Sequence, residues 1–479
     1  MTLKKQITKS AKWIFLYSGC QRVISFCTSV ILARLLEPEI FGMYALAFVV
    51  IDGFGLFKSM GFDSAVIQRK TDVDKAANTA FIIIPALGVF LYLLLVLAAP
   101  YISSFLEQNE MISVLKALGL IFVLGAINRV PQVLLEKNLQ FKILAICGIV
   151  IEIVFSICAI ALSLFGMGIW SLVISFLIKN LISVILIFYY SGWRPKFEFD
   201  IAIAKDMFHF GKYIFFGSII WFVVNTFDKI VIPKILDLTT LGYYTIALNL
   251  ATFASTYLTG KLTDIIYPAY CKLQGNLYDL KMAYLQSTRI LTLIILPICA
   301  GLYLIGGDFL ELTYGQKWLG SIPILKFFAW IGFFRSIGGN NNSIFLSLKN
   351  SKISFKYDVF RAVATVGLVI PAANLYGVTG IAGVILSISF ITFIFSCGEL
   401  MRLIKINLPE YLANLKSAIL GTICMTSVII FIKLVLLQND ITLWLRFGLP
   451  FLFGSIAYGV IVLISEKKLV KEMIGLVFK

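Results

Sequence analysis

The chain has 479 residues, of which 60% are hydrophobic and 14% charged, whereas soluble domains carry about a quarter charged residues. A mean hydropathy of +0.95 excludes a soluble globular domain. The net charge of +16 therefore reads as membrane topology and contact with anionic lipid headgroups rather than nucleic-acid binding.

Apolar stretches of about 20 residues, long enough to cross a hydrocarbon core of about 30 Å, recur from end to end. They predict an all-α polytopic membrane protein with about fourteen spans. In chain order these are 11–33, 41–58, 78–99, 111–133, 143–164, 167–190, 212–233, 241–260, 286–306, 321–346, 357–375, 378–399, 414–436 and 443–464. The charged stretch 1–12 precedes an apolar run that lacks an A-x-A cleavage site, so it reads as a retained first helix. Lys and Arg concentrate in alternate connections, such as Lys4, Lys5, Lys9 and Lys12, then Lys58, Arg69, Lys70 and Lys75, and at the end Lys467, Lys468, Lys471 and Lys479. Such connections stay cytoplasmic, so both termini are expected inside. All eight cysteines fall in spans or on that side, and no disulfide framework is expected.

The chain repeats itself. ILARLLEPEIFGMYALA at 31–47 returns as VIPKILDLTTLGYYTIA at 231–247, with Leu36/Leu236, Gly42/Gly242, Tyr44/Tyr244 and Ala47/Ala247 identical. LLEKNLQFK at 134–142 matches LSLKNSKISFK at 346–356, and LFGMGIWSLV at 164–173 matches LYGVTGIAGV at 375–384. An even number of spans between the copies makes them parallel repeats about an axis along the membrane normal, an organisation common in transporters. Two pseudo-symmetric six-helix lobes are expected, 1–196 and 212–405, joined by an amphipathic cytoplasmic linker at 197–211. Residues 406–479 add two further spans and a cytoplasmic tail.

ARLLEPEIFGMYALA, AVIQRK, NRVPQVLLEKNLQFK, FGMGIWSLV, WRPKFEFD, FGKYIFFGSIIWFVVNTFDKIVI and LGYYTIALNLA together resemble the Wzx-type polysaccharide repeat-unit flippases over roughly residues 10–400. These belong to the superfamily of multidrug, oligosaccharidyl-lipid and polysaccharide exporters, and the pattern is most similar to its colanic-acid and teichuronic-acid branch. The resemblance implies a MATE-like fold in the bacterial plasma membrane. It further implies movement of undecaprenyl-diphosphate-linked oligosaccharide, as for O-antigen or exopolysaccharide, from the cytoplasmic to the outer leaflet. Contact with polysaccharide polymerase and chain-length machinery goes with that expectation.

A diphosphate and its sugars need a polar, preferably cationic path, and charge inside a membrane is costly enough to mark function. In span 1, Ser18, Arg22, Ser25 and Ser29 recur on one helical face. Arg22 lies near mid-membrane, and a guanidinium donates to phosphate in a fork. The repeat sets Ser218, Phe222, Asn225 and Lys229 opposite, with Asp228 beside them. Arg22, Lys179, Arg335, Lys229 and Asn225 are the candidate substrate-binding residues. Asp228, Asp52 and Glu152 are candidate charge partners or ion-coupling groups.

Each has a plain structural alternative: Asp228 paired statically with Lys229, Glu152 with Lys179 as a strut between helices, and Asp52 with Arg22. Lys326 lies close enough to the outer boundary to snorkel, and Asp358 and Arg361 fall at the cytoplasmic interface. Asn340, Asn341 and Asn342 either bond sugar hydroxyls or break the helix before its loop. His209, the one histidine, is on the linker, which argues against a histidine proton relay.

YLTGKLTD lacks the first glycine of a phosphate loop, so the chain is not expected to hydrolyse ATP. No cofactor or metal is expected, and transport is driven by Na+ or H+ exchange or by the membrane potential. Two rivals are considered. An enzyme would need large outer loops, and those near 100–110 and 307–320, with Glu107, Glu110, Asp308 and Glu311, are short. A cation-coupled drug exporter would line its cavity with acids and aromatics, against the excess of central Lys and Arg here.

Overall fold

The computed structural model describes residues 3–58, 61–69, 71–436 and 442–467, with side chains except those of 3–16, 18, 64, 210–217 and 253–265. The tail from 468, Lys70, and the side chains of Lys4, Lys5, Lys9, Lys12 and Ser18 thus lie outside the described residues.

The described chain is helical. In order, the helices are α1 (Leu3–Leu35), α2 (Pro38–Gly55), α3 (Phe62–Gln68), α4 (Val73–Leu106), α5 (Met111–Leu118), α6 (Leu120–Lys137), α7 (Phe141–Leu164), α8 (Ile169–Ser191), α9 (Ile201–Ile235), α10 (Leu238–Leu273), α11 (Leu277–Tyr314), α12 (Ser321–Ser347), α13 (Ser351–Leu403), α14 (Leu408–Leu436) and α15 (Leu443–Ser465). Among the described residues, ten segments are long and apolar enough to span a membrane. One, α13, has 53 residues and holds two expected spans, broken at Gly377. The expected spans 11–33, 212–233 and 241–260 fall on α1, α9 and α10. Helices dominate because, in lipid, a backbone must satisfy its own hydrogen bonds. Pro85 and Pro100 lie inside α4, each removing one N–H from its ladder.

The chain divides into two compact units, residues 1–242 and 243–479. In the first, α1 packs on α7, α7 on α8, and α4 on α6. The stretch expected as the linker, 197–211, runs into the start of α9. Residues 192–200 are non-helical, and α9 then runs unbroken from Ile201. Asp200 caps it, its carboxylate accepting from the Ala202 and Ile203 backbone N–H groups. Lys196 N–H donates to Asn78 Oδ1 at 3.1 Å and Asp200 N–H to Thr79 Oγ1 at 3.2 Å, fastening the stretch to the start of α4. Ile203 and Met207 bury into the apolar cluster around Phe62, Ala77 and Val130.

The sequence repeat reappears in the backbone. α1 ends at Leu35 and α2 starts at Pro38, while α9 ends at Ile235 and α10 starts at Leu238. The two copies touch through their glycines. A Cβ on Gly42 would lie 1.8 Å from the Leu238 carbonyl oxygen, and one on Gly242 would lie 2.0 Å from that of Pro38. Only glycine permits this reciprocal backbone approach, the small-residue packing that serves in place of a hydrophobic drive within lipid. Gly166, at φ 75°, makes the turn between α7 and α8, and its repeat mate Gly377, at φ 61°, makes the kink in α13.

In the second unit, α11 packs on α12 and α14, α12 on α13, and α14 on α15. α11 extends to Tyr314, so Asp308 and Glu311 stand in a helix rather than an outer loop, and Asp308 is 3% exposed.

Candidate functional site

The first unit carries a charged seam among α1, α7 and α8. Glu152 is 4% exposed. Its Oε1 accepts from Ser25 Oγ at 2.5 Å and its Oε2 from Lys179 Nζ at 2.8 Å. One turn along, Thr28 Oγ1 donates to Ser156 Oγ at 2.7 Å, and Ser156 donates to the Glu152 carbonyl at 2.8 Å. Lys179 also sits 5.1 Å from the centre of the Phe155 ring, a cation–π contact. The structure therefore joins Glu152 and Lys179 as the interhelical strut. From the expected serine face of α1, Ser25 turns to this seam, where Thr28 joins it, and Arg22 is exposed.

A second cluster lies on α2 and α9. Asp228 is buried, and its Oδ1 accepts from the Lys229 backbone N–H at 2.9 Å. The charge of Lys229 is felt at Asp52. The Phe222 ring lies against Gly53, where a Cβ would be 3.1 Å from it. Asn225 Nδ2 donates to the Trp221 carbonyl one turn back at 2.8 Å, so the amide is turned along its own helix.

In the second unit, Arg335 on α12 and Arg361 on α13 are close enough for each guanidinium to feel the other, with Asp358 as the neighbouring acid, 3.7 Å from Arg361. Arg361 is thus drawn into the helix packing, where sequence placed it in solvent at an interface. Lys326 is exposed on α12.

The asparagine run behaves as neither alternative anticipated, because α12 continues to Ser347. Asn340 and Asn341 are fully buried. Asn340 Oδ1 accepts from Tyr270 at 3.0 Å, and its Nδ2 donates to Ser287 at 3.1 Å and Thr288 at 2.9 Å. Asn341 Oδ1 accepts from Tyr284 at 2.7 Å, and its Nδ2 donates to Ser396 at 3.0 Å and Cys397 Sγ at 3.4 Å. Only Asn342 is exposed, accepting from Ser354. A buried amide costs several kcal/mol in lipid unless paired; here both are paired, and they tie α10, α11, α12 and α13 together.

A further ion cluster was missed. Asp308 accepts from Lys433 Nζ at 2.6 Å and Arg446 Nε at 2.7 Å, joining α14 and α15 to α11. Arg289 pairs with the buried Glu466 at the far end of α15. The signal available was two basic residues in otherwise apolar final spans, Lys433 and Arg446. Their acid partners lie more than a hundred positions away, beyond any periodicity argument.

Comparison with known proteins agrees with this architecture. The chain is 25% identical over 477 residues to the teichuronic acid biosynthesis protein TuaB of Bacillus subtilis (strain 168), with 95% of each chain covered. It is 23% identical over 398 residues to the lipopolysaccharide biosynthesis protein WzxC of Escherichia coli (strain K12), covering 83% of this chain and 81% of that one. Its fold is that of the lipid II flippase MurJ in an inward closed conformation, with a TM-score of 0.74 at 16% identity, over 95% of this chain and 99% of that one. Residues 31–323 match the family described as Polysaccharide biosynthesis protein. Repeats, helix order and family match converge: this chain is a multi-pass membrane transport protein of the polysaccharide biosynthesis protein family.

Proposed function

We propose that the protein moves undecaprenyl-diphosphate-linked oligosaccharide repeat units from the cytoplasmic to the outer leaflet of a bacterial plasma membrane, by alternating access, for surface polysaccharide assembly. The observation that carries this reading is the set of basic side chains on membrane helices within a family of polysaccharide transport proteins. Arg22 is exposed on α1, Lys229 is near Asp52, and Arg335 and Arg361 stand together. Guanidinium and ammonium groups held in a low dielectric attract a diphosphate far more strongly than they would in water. A drug exporter of the same fold, holding organic cations, is disfavoured by the same residues.

Coupling to Na+ or H+, where it operates, is assigned to Asp52 and Asp228. Glu152 is set aside for this role because both its oxygens are already engaged by Ser25 and Lys179. The basic connections support cytoplasmic termini, and a polymerase that uses the exported unit is the natural neighbour.

The test is reconstitution in liposomes carrying a polyprenyl-diphosphate oligosaccharide in one leaflet, following its exposure in the other. Wild type is expected to translocate it, and Arg22→Ala and Arg335→Ala to do so poorly. Export of a cationic dye with no lipid movement would sink the reading. Imposing a Na+ or pH gradient, with Asp52→Asn alongside, reports the coupling.

A further inference from the structure

Within the first unit, α2, α4 and α9 line a groove of about 850 Å³ with aliphatic and aromatic side chains. Its floor includes Val49 and Leu91, both nearly inaccessible, while Phe57, Phe90 and Phe105 form an open rim, 42%, 59% and 61% exposed. Phe222 closes the α9 side. The α4 lining runs from Leu87 to Leu106, about 28 Å of helix at 1.5 Å per residue, close to the full hydrocarbon thickness of about 30 Å.

Cations mark its length. Lys58 follows directly on Phe57 at one end, its Nζ beside Gly125, with Arg129 and Asp63 in electrostatic range. Lys229 precedes the lining residue Ile230 and neighbours Asp52. Lys234 ends the series: its Nζ donates to the Phe105 carbonyl at 2.8 Å, pairs with Glu107 at 2.5 Å and lies 5.2 Å from the centre of the Phe105 ring. By the basic-residue bias, Lys58 is at the cytoplasmic end and Lys234 at the outer end. Lys234 is paired with Glu107, Lys229 has Asp52 and Asp228 as neighbours, and Lys58 has Asp63 in range, so an arriving diphosphate competes with acids rather than filling an empty site.

We infer that this groove is the track for the isoprenoid tail of the transported lipid, with Lys58, Lys229 and Lys234 as successive stations for its diphosphate. The inference rests on the proposed function. An ordinary phospholipid finds the same apolar wall, but cations bordering both ends, Lys58 at one and Lys229 and Lys234 toward the other, complement a lipid whose anionic head must change leaflets while its tail stays in hydrocarbon.

The test uses wild-type protein in liposomes with two probes: a polyprenyl diphosphate oligosaccharide carrying a diazirine in its tail, and phosphatidylethanolamine carrying the same diazirine in an acyl chain. Adducts of the first on residues 46–57 and 87–106, chased by unlabelled polyprenyl diphosphate and not by phospholipid, are expected. Polyprenyl adducts confined to other helices, or groove adducts equal for both probes and not chased, overturn the inference. Translocation is measured in the same vesicles. Movement without groove adducts removes the track alone, whereas chased groove adducts without movement keep the binding groove and remove the flippase reading. As a functional arm, Leu94→Trp, which fills the groove, should slow translocation severalfold. Val89→Trp, exposed on the opposite side of α4 and outside the lining, should not.

Discussion

Between the helices that repeat, the two units bury polar groups in different ways, the buried Asp308 cluster of the second unit lying against the added helices α14 and α15. The first uses charge, with Glu152 gripping Lys179 and Ser25. The second uses neutral amides and hydroxyls around Asn340 and Asn341. The contrast extends to a matched position. Counting from LLEKN and LSLKN, Asn128 corresponds to Asn340. Asn128 donates to Ser183 at 2.9 Å, but its Oδ1 has no partner among the described residues, whereas every polar atom of the Asn340 amide is engaged. Duplication has thus kept the backbone devices, the touching glycines and the glycine turns, while the polar interior diverged. A satisfied neutral network is a rigid strut. A buried charged seam holds only while both of its charges are present.

The largest effect that would break this comparison comes from unpairing the charged seam. Glu152→Gln leaves the Lys179 ammonium without its counter-charge, and losing one partner of a buried pair costs about 3–5 kcal/mol. Lys179 keeps some access to its surroundings, at 27% side-chain exposure, so the lower end is expected. Thermal unfolding in detergent measures it. Glu152→Leu combined with Lys179→Met removes both charges and should recover most of the loss. A double variant as unstable as the single one would mean that the seam does more than neutralise charge.

Next comes the feature the repeats share. Gly42→Ala and Gly242→Ala each push a methyl group into a backbone carbonyl, and overpacking of this kind costs about 1–3 kcal/mol. The reciprocal geometry predicts similar losses of melting temperature for the two. A much smaller loss at one of them would show that the contact is not symmetric.

The neutral network gives a graded pair. Asn341→Leu removes the bonds with Tyr284, Ser396 and Cys397 from a buried site, about 1–3 kcal/mol. Asn128→Leu removes one bond and an already unsatisfied oxygen, so its cost should be clearly less, by the same unfolding measurement. Equal costs would erase the distinction between the units.

Much of the fold was readable because span length and basic-residue bias are local signals. The helix boundaries follow the apolar runs, and the Gly377 kink sits between the expected spans 357–375 and 378–399. The repeat at 31–47 and 231–247 was visible as identities, although its physical cause, the contact of Gly42 with the Leu238 backbone, required coordinates. Of the site, Glu152 with Lys179 was anticipated as a strut. Asp308 with Lys433 and Arg446, and Arg335 with Arg361, were not, because charges that meet across helices leave no mark on periodicity. The asparagine run misled for a related reason. Amides are poor helix formers in water, but the hydroxyls offered by Tyr270, Tyr284 and Ser396 from other helices overrode that local preference.

The smallest effect sharpens the contrast from the solvent side. Glu107 pairs with Lys234 as Glu152 does with Lys179, yet it lies just beyond α4 and is 76% exposed. The hydrogen bond and charge of Lys234 hold its carboxyl below the ordinary carboxylate range. An acid whose pKa is lower in the folded protein stabilises it above the unfolded value of about 4.3 and ceases to do so as pH falls through the folded value. Glu107→Gln should therefore shift the melting temperature slightly or not at all at pH 7, since solvent screens exposed pairs. Any wild-type advantage should disappear below about pH 4 and shrink with added salt. Glu152→Gln should keep most of its penalty in high salt, because ions do not reach a buried seam. If both variants lost their penalties together on adding salt, the seam would be open to solvent, and the distinction between a surface clasp and an interior strut would fail.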